Sequence, residues 1–243
     1  SNKKGVSFTF LTYGDESDLT FNLKEENIKV IPMFEKAKNK NKKFLVILST
    51  LLFVYRNKEK LKNYDLIKHN QLNGSWVAIF LKKLIKKPFL LRTGYDTYKF
   101  SIDEKKSFFK KTFYRLLTNL SLYYADSYSV TSNADLIFSQ KYFIQPKLIN
   151  VRPNWVNSYE YKELISRYEN RILTVGRLEK QKNFEKLIQD FKNSDFEIDI
   201  VGEGSEYKLL NEISKNYNVK VNFLGKLENN ELINKYSKYK FFI

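Results

Sequence analysis

Short β-rich runs bounded by polar or turn residues alternate with longer, helically spaced apolar stretches through the first half of the chain. VSFTFLT (6–12), NIKVIPM (27–33), YDLIKH (64–69), KPFLLRT (87–93), SYSVTS (127–132) and KLINVRP (147–153) have the length and residue types of strands. Between several of them, residues 42–62, 74–87 and 103–124 have the length and apolar spacing of helices. The second half repeats the pattern more cleanly: RILTVG (171–176), FEIDIVG (196–202) and VKVNFLG (219–225) each precede a helical stretch, near 183–193, 205–217 and 228–239, and KFFI opens a fourth strand. Such alternation predicts an α/β fold built on parallel sheets. VRPNWVNSYEYKELISRYEN, with its proline-asparagine turn and polar, tyrosine-rich run, predicts a linker near 153–169. The expectation is two Rossmann-like domains, 1–153 and 154–243, facing each other across a cleft.

Length and composition agree with that division. The 243 residues exceed the usual size of one domain, and 42% hydrophobic content with 20 Phe and 17 Tyr supplies material for two cores. Without cysteine there is no disulfide framework or thiolate metal site, and a single histidine leaves little for zinc, so no metal is expected. The longest uncharged apolar stretch, Phe44 to Tyr55, is far short of the roughly 20 residues that span a bilayer. The first residues carry no secretory pattern. A reducing, cytoplasmic setting is expected.

Charge divides the halves sharply. Residues 1–153 carry 28 Lys+Arg against 13 Asp+Glu, a net +15, whereas residues 154–243 carry 15 against 14, a net +1. One lobe is therefore expected to meet a polyanion, a nucleic acid or an anionic membrane surface, while the other does separate work.

Candidate chemistry lies at the ends of the second-half strands. In ILTVGRLEKQKNFEKLI, Arg177 and Lys182 follow a strand and Gly176 at the start of a predicted helix, where cations are misplaced unless an anion sits beside them. A guanidinium fork and an ammonium there can neutralise a departing diphosphate; the alternative is two solvated surface cations. In IVGEGSEYKLL, Gly202 and Gly204 bracket Glu203 before another helix, a corner that exposes backbone N–H groups to phosphate. The third glycine of a dinucleotide fingerprint would fall at Tyr207, so this is not that motif.

Together, VGRLEKQKNFEKLI, DIVGEGSEYKLL and VKVNFLGKLENNELINKY resemble the donor domain of the family 4 retaining glycosyltransferases, which have the GT-B fold. INVRPNWVNSYEY is similar to the turn leading into that domain, and YDLIKHN to an acceptor-domain strand ending in histidine. The resemblance implies that Arg177 and Lys182 are catalytic, holding the diphosphate of a nucleotide sugar. It also implies that Gly176, Gly202, Glu203 and Gly204 lie against the nucleotide, and that Gly225, Lys226 and Leu227 lie near its base. The implied reaction moves the sugar to an acceptor hydroxyl with retention, without a cofactor or an essential metal. On the acceptor side, many relatives have a histidine where KPFLLRTGYD has Arg92, Thr93, Gly94, Tyr95 and Asp96, and His69 lies on a different strand. The family's paired glutamates lie beyond its fourth donor-domain strand and its first strand precedes VSFTF, so the chain is expected to be a fragment of a longer enzyme.

The basic lobe has two features of its own. KKLIKK carries Lys82, Lys83, Lys86 and Lys87, and DEKKSFFKKTFYRLL alternates paired lysines with paired aromatics. On one continuous helix, Phe109, Phe113 and Leu116 share a face, with Lys106 and Lys110 on another, the pattern of a helix that lies in anionic headgroups. The alternative is a helix packed on its own sheet with a solvated lysine face. The resulting expectation is a peripheral protein on the inner membrane face, with a nucleotide sugar and a glycan or lipid-linked acceptor as partners and no nucleic acid. A non-catalytic GT-B subunit and a basic nucleic-acid module are the competing readings.

Overall fold

The computed structural model describes residues 5–21, 27–34, 43–94, 96–155 and 166–243, and the chain divides into two compact units, 1–156 and 157–243. In the first unit, β1 (Phe8–Thr12) and β2 (Ile28–Pro32) form a parallel pair with Phe8 opposite Ile28. A second parallel sheet carries β3 (Ile67–Asn70), β4 (Phe89–Arg92), β5 (Ser127–Val130) and β6 (Ile149–Val151) side by side in chain order. Side chains join the pair to this sheet: the Tyr13 hydroxyl donates to the Gly74 carbonyl at 3.0 Å, and Leu11 packs against the sheet's core.

Helices cover these strands in the order α1 (Lys43–Arg56), α2 (Lys58–Leu61), α3 (Ser75–Ile85), α4 (Thr97–Asp103), α5 (Phe108–Tyr124) and α6 (Asn133–Tyr142). Phe89, Leu91, Tyr128 and Val130 on the central strands are fully buried, with Val54, Val77, Ile85 and Leu122 packed on them from the helices. Two helices expected to be continuous are broken. The stretch 42–62 divides at Asn57, between α1 and α2. In 103–124, α4 ends at Asp103, Lys105 takes a left-handed φ of 50°, and α5 begins only at Phe108. Lys106 therefore precedes the helix on which the sequence pattern placed it, and it pairs with Glu104 at 2.9 Å. Helices α4 and α6 were not anticipated; their starts are fixed by Asp96, which accepts the Lys99 N–H, and by Ser132, which accepts the Asp135 N–H.

The second unit is one parallel sheet of β7 (Tyr168–Val175), β8 (Glu197–Val201), β9 (Val221–Phe223) and β10 (Tyr239–Phe242), in the order β10-β7-β8-β9. It is crossed by α7 (Phe184–Asp190), α8 (Tyr207–Asn216) and α9 (Asn229–Tyr236). Period-two alternation on β8 sends Ile198 and Ile200 toward Phe184, Ile188 and Leu210 of α7 and α8. Val201 turns to the other face, with Leu173 and Tyr239 and with Leu232 and Tyr236 of α9. The strands step outward from β7 to β9, and the chain then returns to place β10 on the far side of β7. A reversal of this kind opens a crevice at the carboxyl ends of β7 and β10. β7 begins at Tyr168, inside the stretch read as linker, and residues 156–165 of that stretch lie outside the described residues.

Candidate active site

Three loops leave the carboxyl edge of the second sheet and are hydrogen-bonded to one another through their backbones. Gly176 N–H donates to Val201 O at 2.9 Å, Leu178 N–H to Glu203 O at 2.9 Å, and Gly202 N–H to Gly225 O at 2.8 Å. Leu178 is buried between the first two, and its carbonyl accepts the Glu206 N–H at 3.0 Å. This close approach dictates two glycines. A Cβ on Gly202, whose φ is 139°, would lie 1.9 Å from Gly176 O, and a Cβ on Gly204 would lie 2.3 Å from Leu178 O. Both are therefore required by loop-to-loop packing, whatever else they touch.

Arg177 and Lys182 project from the first of these loops, and both are exposed. The structure corrects the expected helix start: Lys182 closes a short 3-10 turn (Lys180–Lys182), Asn183 is left-handed at φ 54°, and α7 follows with only seven residues. Both cations therefore precede the helix rather than open it, and the loop itself presents them. The methylenes of Lys182 lie within van der Waals reach, 3.4 Å, of where a Gly176 Cβ would stand, which places the lysine stem across the end of β7. Among the described residues neither cation makes an ion pair. Glu179, between them, turns instead to the neighbouring loop: its carboxylate accepts the Ser205 hydroxyl at 3.1 Å and lies 3.5 Å from the Ser205 N–H. Residues 26 apart give no spacing signal, and the sequence pattern did not anticipate this link.

At the third loop, Gly225 has φ 68° with open space on its Cβ side, Lys226 is exposed, and Leu227 packs into the apolar cluster of Leu173, Val201 and Tyr239. Glu203 is exposed. Lower on the sheet, Asp199, 2% exposed, accepts hydrogen bonds from Tyr239 Oη and, at 2.7 Å, from Asn222 Nδ2, with an Arg171 guanidinium nitrogen at 3.7 Å. Burial, with the Asp199 carboxylate beside it, pushes the Tyr239 hydroxyl far above its ordinary range. Satisfied in this way, the cluster serves the fold of the second unit.

On the first unit, the expected acceptor-side residues divide. Thr93 is buried and shares a 2.7 Å hydrogen bond with the Tyr128 hydroxyl, which burial pushes up to about 12. Asp96 is buried as the cap of α4; burial raises its pKa, against the Lys99 and Tyr98 N–H groups that lower it. Gly94 is exposed, and Tyr95 lies outside the described residues. His69, near the end of β3, is half-buried with Nε2 3.1 Å from Asn73 O, and desolvation lowers its pKa despite that hydrogen bond. Arg92 straps the end of the unit: one of its terminal nitrogens donates to Arg152 O at 3.1 Å and to Asn154 Oδ1 at 2.9 Å.

Residues 158–243, which carry all three cation- and glycine-bearing loops, match the family model described as glycosyl transferases group 1. The match covers the second unit alone. Solved structures extend the likeness over both units. Sucrose-phosphate synthase from Thermosynechococcus elongatus is 17% identical, with a TM-score of 0.77 over 96% of this chain and 64% of its own. Anabaena Alr3699/HepE, in complex with UDP and glucose, gives 16%, 0.64, 90% and 61%. The lipopolysaccharide outer core galactosyltransferase WaaB gives 19%, 0.57, 89% and 58%. The α/β fold with parallel sheets is that of these GT-B glycosyltransferases, and the chain spans under two thirds of the length of each. No curated protein matches the chain by sequence.

In the first unit, the lysines expected at a membrane divide as well. Lys82 is largely buried and forms an ion pair with Asp126, so its charge is engaged within the fold. The Lys83 ammonium lies 4.7 Å from the Tyr124 ring centre. Lys86 and Lys110 are exposed and Lys87 is half-buried. On α5, Phe109 is 83% and Phe113 55% exposed, while Leu117 and Leu122 on the opposite face are buried. Among the described residues, no helix is long and apolar enough to cross a membrane and no group of three or more His, Cys, Asp or Glu is placed to hold a metal.

Proposed function

We propose that the chain belongs to a retaining glycosyltransferase that moves a sugar from a nucleotide-diphosphate sugar to an acceptor hydroxyl. The observation that carries this reading is the pair Arg177 and Lys182: two exposed cations on one loop, without ion pairs among the described residues, at the edge where the strand order reverses. An arginine fork and a lysine point charge there stabilise the negative charge that builds on the β-phosphate as the glycosidic bond breaks. The bond between the anomeric carbon and the phosphate oxygen is cleaved and the electron pair leaves with the diphosphate. The acceptor hydroxyl then bonds to that carbon on the same face and passes its proton to an oxygen of the departing diphosphate. Arg177 and Lys182 carry the charge role in this scheme, with no essential metal. The loops of Gly202 and Gly225 supply the floor for the nucleotide, and Lys226 borders the base. HepE was solved with UDP and glucose, which favours a uridine diphosphate sugar as the first donor to test.

The acceptor in this proposal is a lipid-linked or surface glycan, met by a peripheral protein at the inner face of an anionic membrane. The exposed aromatic stripe of α5 and the +15 excess of residues 1–153 support it. Titrating the 243-residue chain with UDP, UMP and a single-stranded oligonucleotide tests the donor assignment. UDP should bind about tenfold more tightly than UMP, the equivalent of one charge-assisted hydrogen bond. Equal affinity for UDP and UMP, or binding of the oligonucleotide alone, would contradict it.

A further inference from the structure

Helix α1 holds no charged residue between Lys43 and Arg56. A helix that is apolar all round belongs in a core or in lipid, yet only one side of α1 is in the core, where Val54 is fully buried. Leu45, Leu48, Leu52 and Tyr55, spaced by three, four and three residues, form the other side and are each between 44% and 53% exposed. These positions make one stripe along the helix. Contiguous apolar surface of this kind is uncommon on a protein surrounded only by water.

The geometry points to this stripe as a second membrane-contact surface, which acts with α5 to seat the first unit on an anionic bilayer. Both helices pack against α3, and α5 shows the same feature in stronger form, with Phe109, Phe113 and Leu116 facing outward. Basic residues stand at the ends of the stripes: Arg56 closes α1 and Lys58 opens α2, Lys83 and Lys86 stand at the end of α3, and Lys110 and Lys111 lie in the first turn of α5. The Lys58 ammonium lies 4.6 Å from the ring centre of Tyr55, so the charge borders the apolar stripe directly. That arrangement suits shallow burial of the leucines among acyl chains, with the cations at headgroup phosphates. A second copy of the chain is the less favourable occupant. It would bring a second surface with a +15 excess against the first, whereas anionic lipid supplies the counter-charge. The inference shares the membrane partner proposed above and is independent of the donor site.

Co-sedimentation of the 243-residue chain with phosphatidylcholine vesicles, with and without phosphatidylglycerol, tests it. The wild type should bind only the anionic vesicles. The pair Leu48→Glu and Leu52→Glu should weaken that binding by about tenfold or more, the scale of two leucines kept from lipid. Phe113→Glu on α5 is the parallel variant. If it weakens binding while the α1 pair binds as wild type, the α1 inference fails and the α5 reading stands; if neither variant has an effect, both fail. Sedimentation velocity without lipid should show a monomer. A dimer that the α1 pair dissolves, with vesicle binding unchanged, would assign the stripe to a second copy and overturn the inference. Leu48→Trp gives a readout that does not depend on tolerating glutamate: its emission should shift to the blue with anionic vesicles, and an unshifted spectrum would contradict the inference.

Discussion

Gly202 and Gly204 have no room for a side chain, because the backbones of neighbouring loops occupy that space. Gly202→Ala should therefore lower stability by about 2 kcal/mol or more, read as a fall in the thermal or urea midpoint, since both the left-handed φ and the carbonyl contact oppose a Cβ. An unchanged midpoint would mean that the loops do not approach as described. Both glycines were visible in the sequence as a phosphate-type corner, but their packing role was not, because it depends on Gly176 and Leu178, more than twenty residues away in the chain. Arg177 and Lys182 were legible as candidates from the strand-glycine-arginine order. That neither makes an ion pair among the described residues was not, since Glu179 stands between them and turns to Ser205 instead.

At the scale of elements, Asp126 joins a helix to a strand. Its carboxylate pairs with Lys82 of α3, accepts the Phe89 N–H at 2.9 Å at the start of β4, and lies 3.3 Å from the Lys147 ammonium. Burial works to raise its pKa, but these three partners together outweigh burial and lower it to about 2. The sign follows from the depressed value. The stabilising contribution is complete above the ordinary carboxylate pKa of 3.8 and is lost as pH falls through about 2. Allowing for the partial exposure of the side chain, the contribution is about 1 to 2 kcal/mol. Asp126→Asn should remove most of this dependence: the variant should melt lower than wild type at pH 7 and nearly with it at pH 2. A constant gap between the two would contradict the assignment. Strand positions were largely legible because period-two alternation and β-branched residues mark them. The break between α4 and α5 was not, because residues 103–107 carry no glycine or proline to mark it, while the backbone turns left-handed at Lys105. For the same reason the sequence pattern put Lys106 on a helix that begins two residues later.

For the whole molecule, the parallel α/β class followed from the order of strand-like and helix-like segments, and the likeness to glycosyl transferases group 1 from three loops in succession whose motifs are weak one at a time. Charge asymmetry was legible from a count, but its partition was not, since tertiary contacts decide which lysines are engaged, as Lys82 is, and which remain exposed, as Lys110 does. The concentration of charge in residues 1–153 predicts that vesicle binding falls steeply as salt is raised, whereas UDP binding in the second unit, which carries net +1 from 154 to 243, responds much less. Equal salt sensitivity of the two would contradict a division of labour between the lobes. The central claim is that Arg177 and Lys182 hold a diphosphate, and calorimetric titration of UDP into the wild type, Arg177→Ala and Lys182→Ala tests it most directly. The account predicts that each variant loses about 1.5 to 3 kcal/mol of binding free energy with its melting temperature unchanged; UDP affinity equal to wild type in both variants would contradict it.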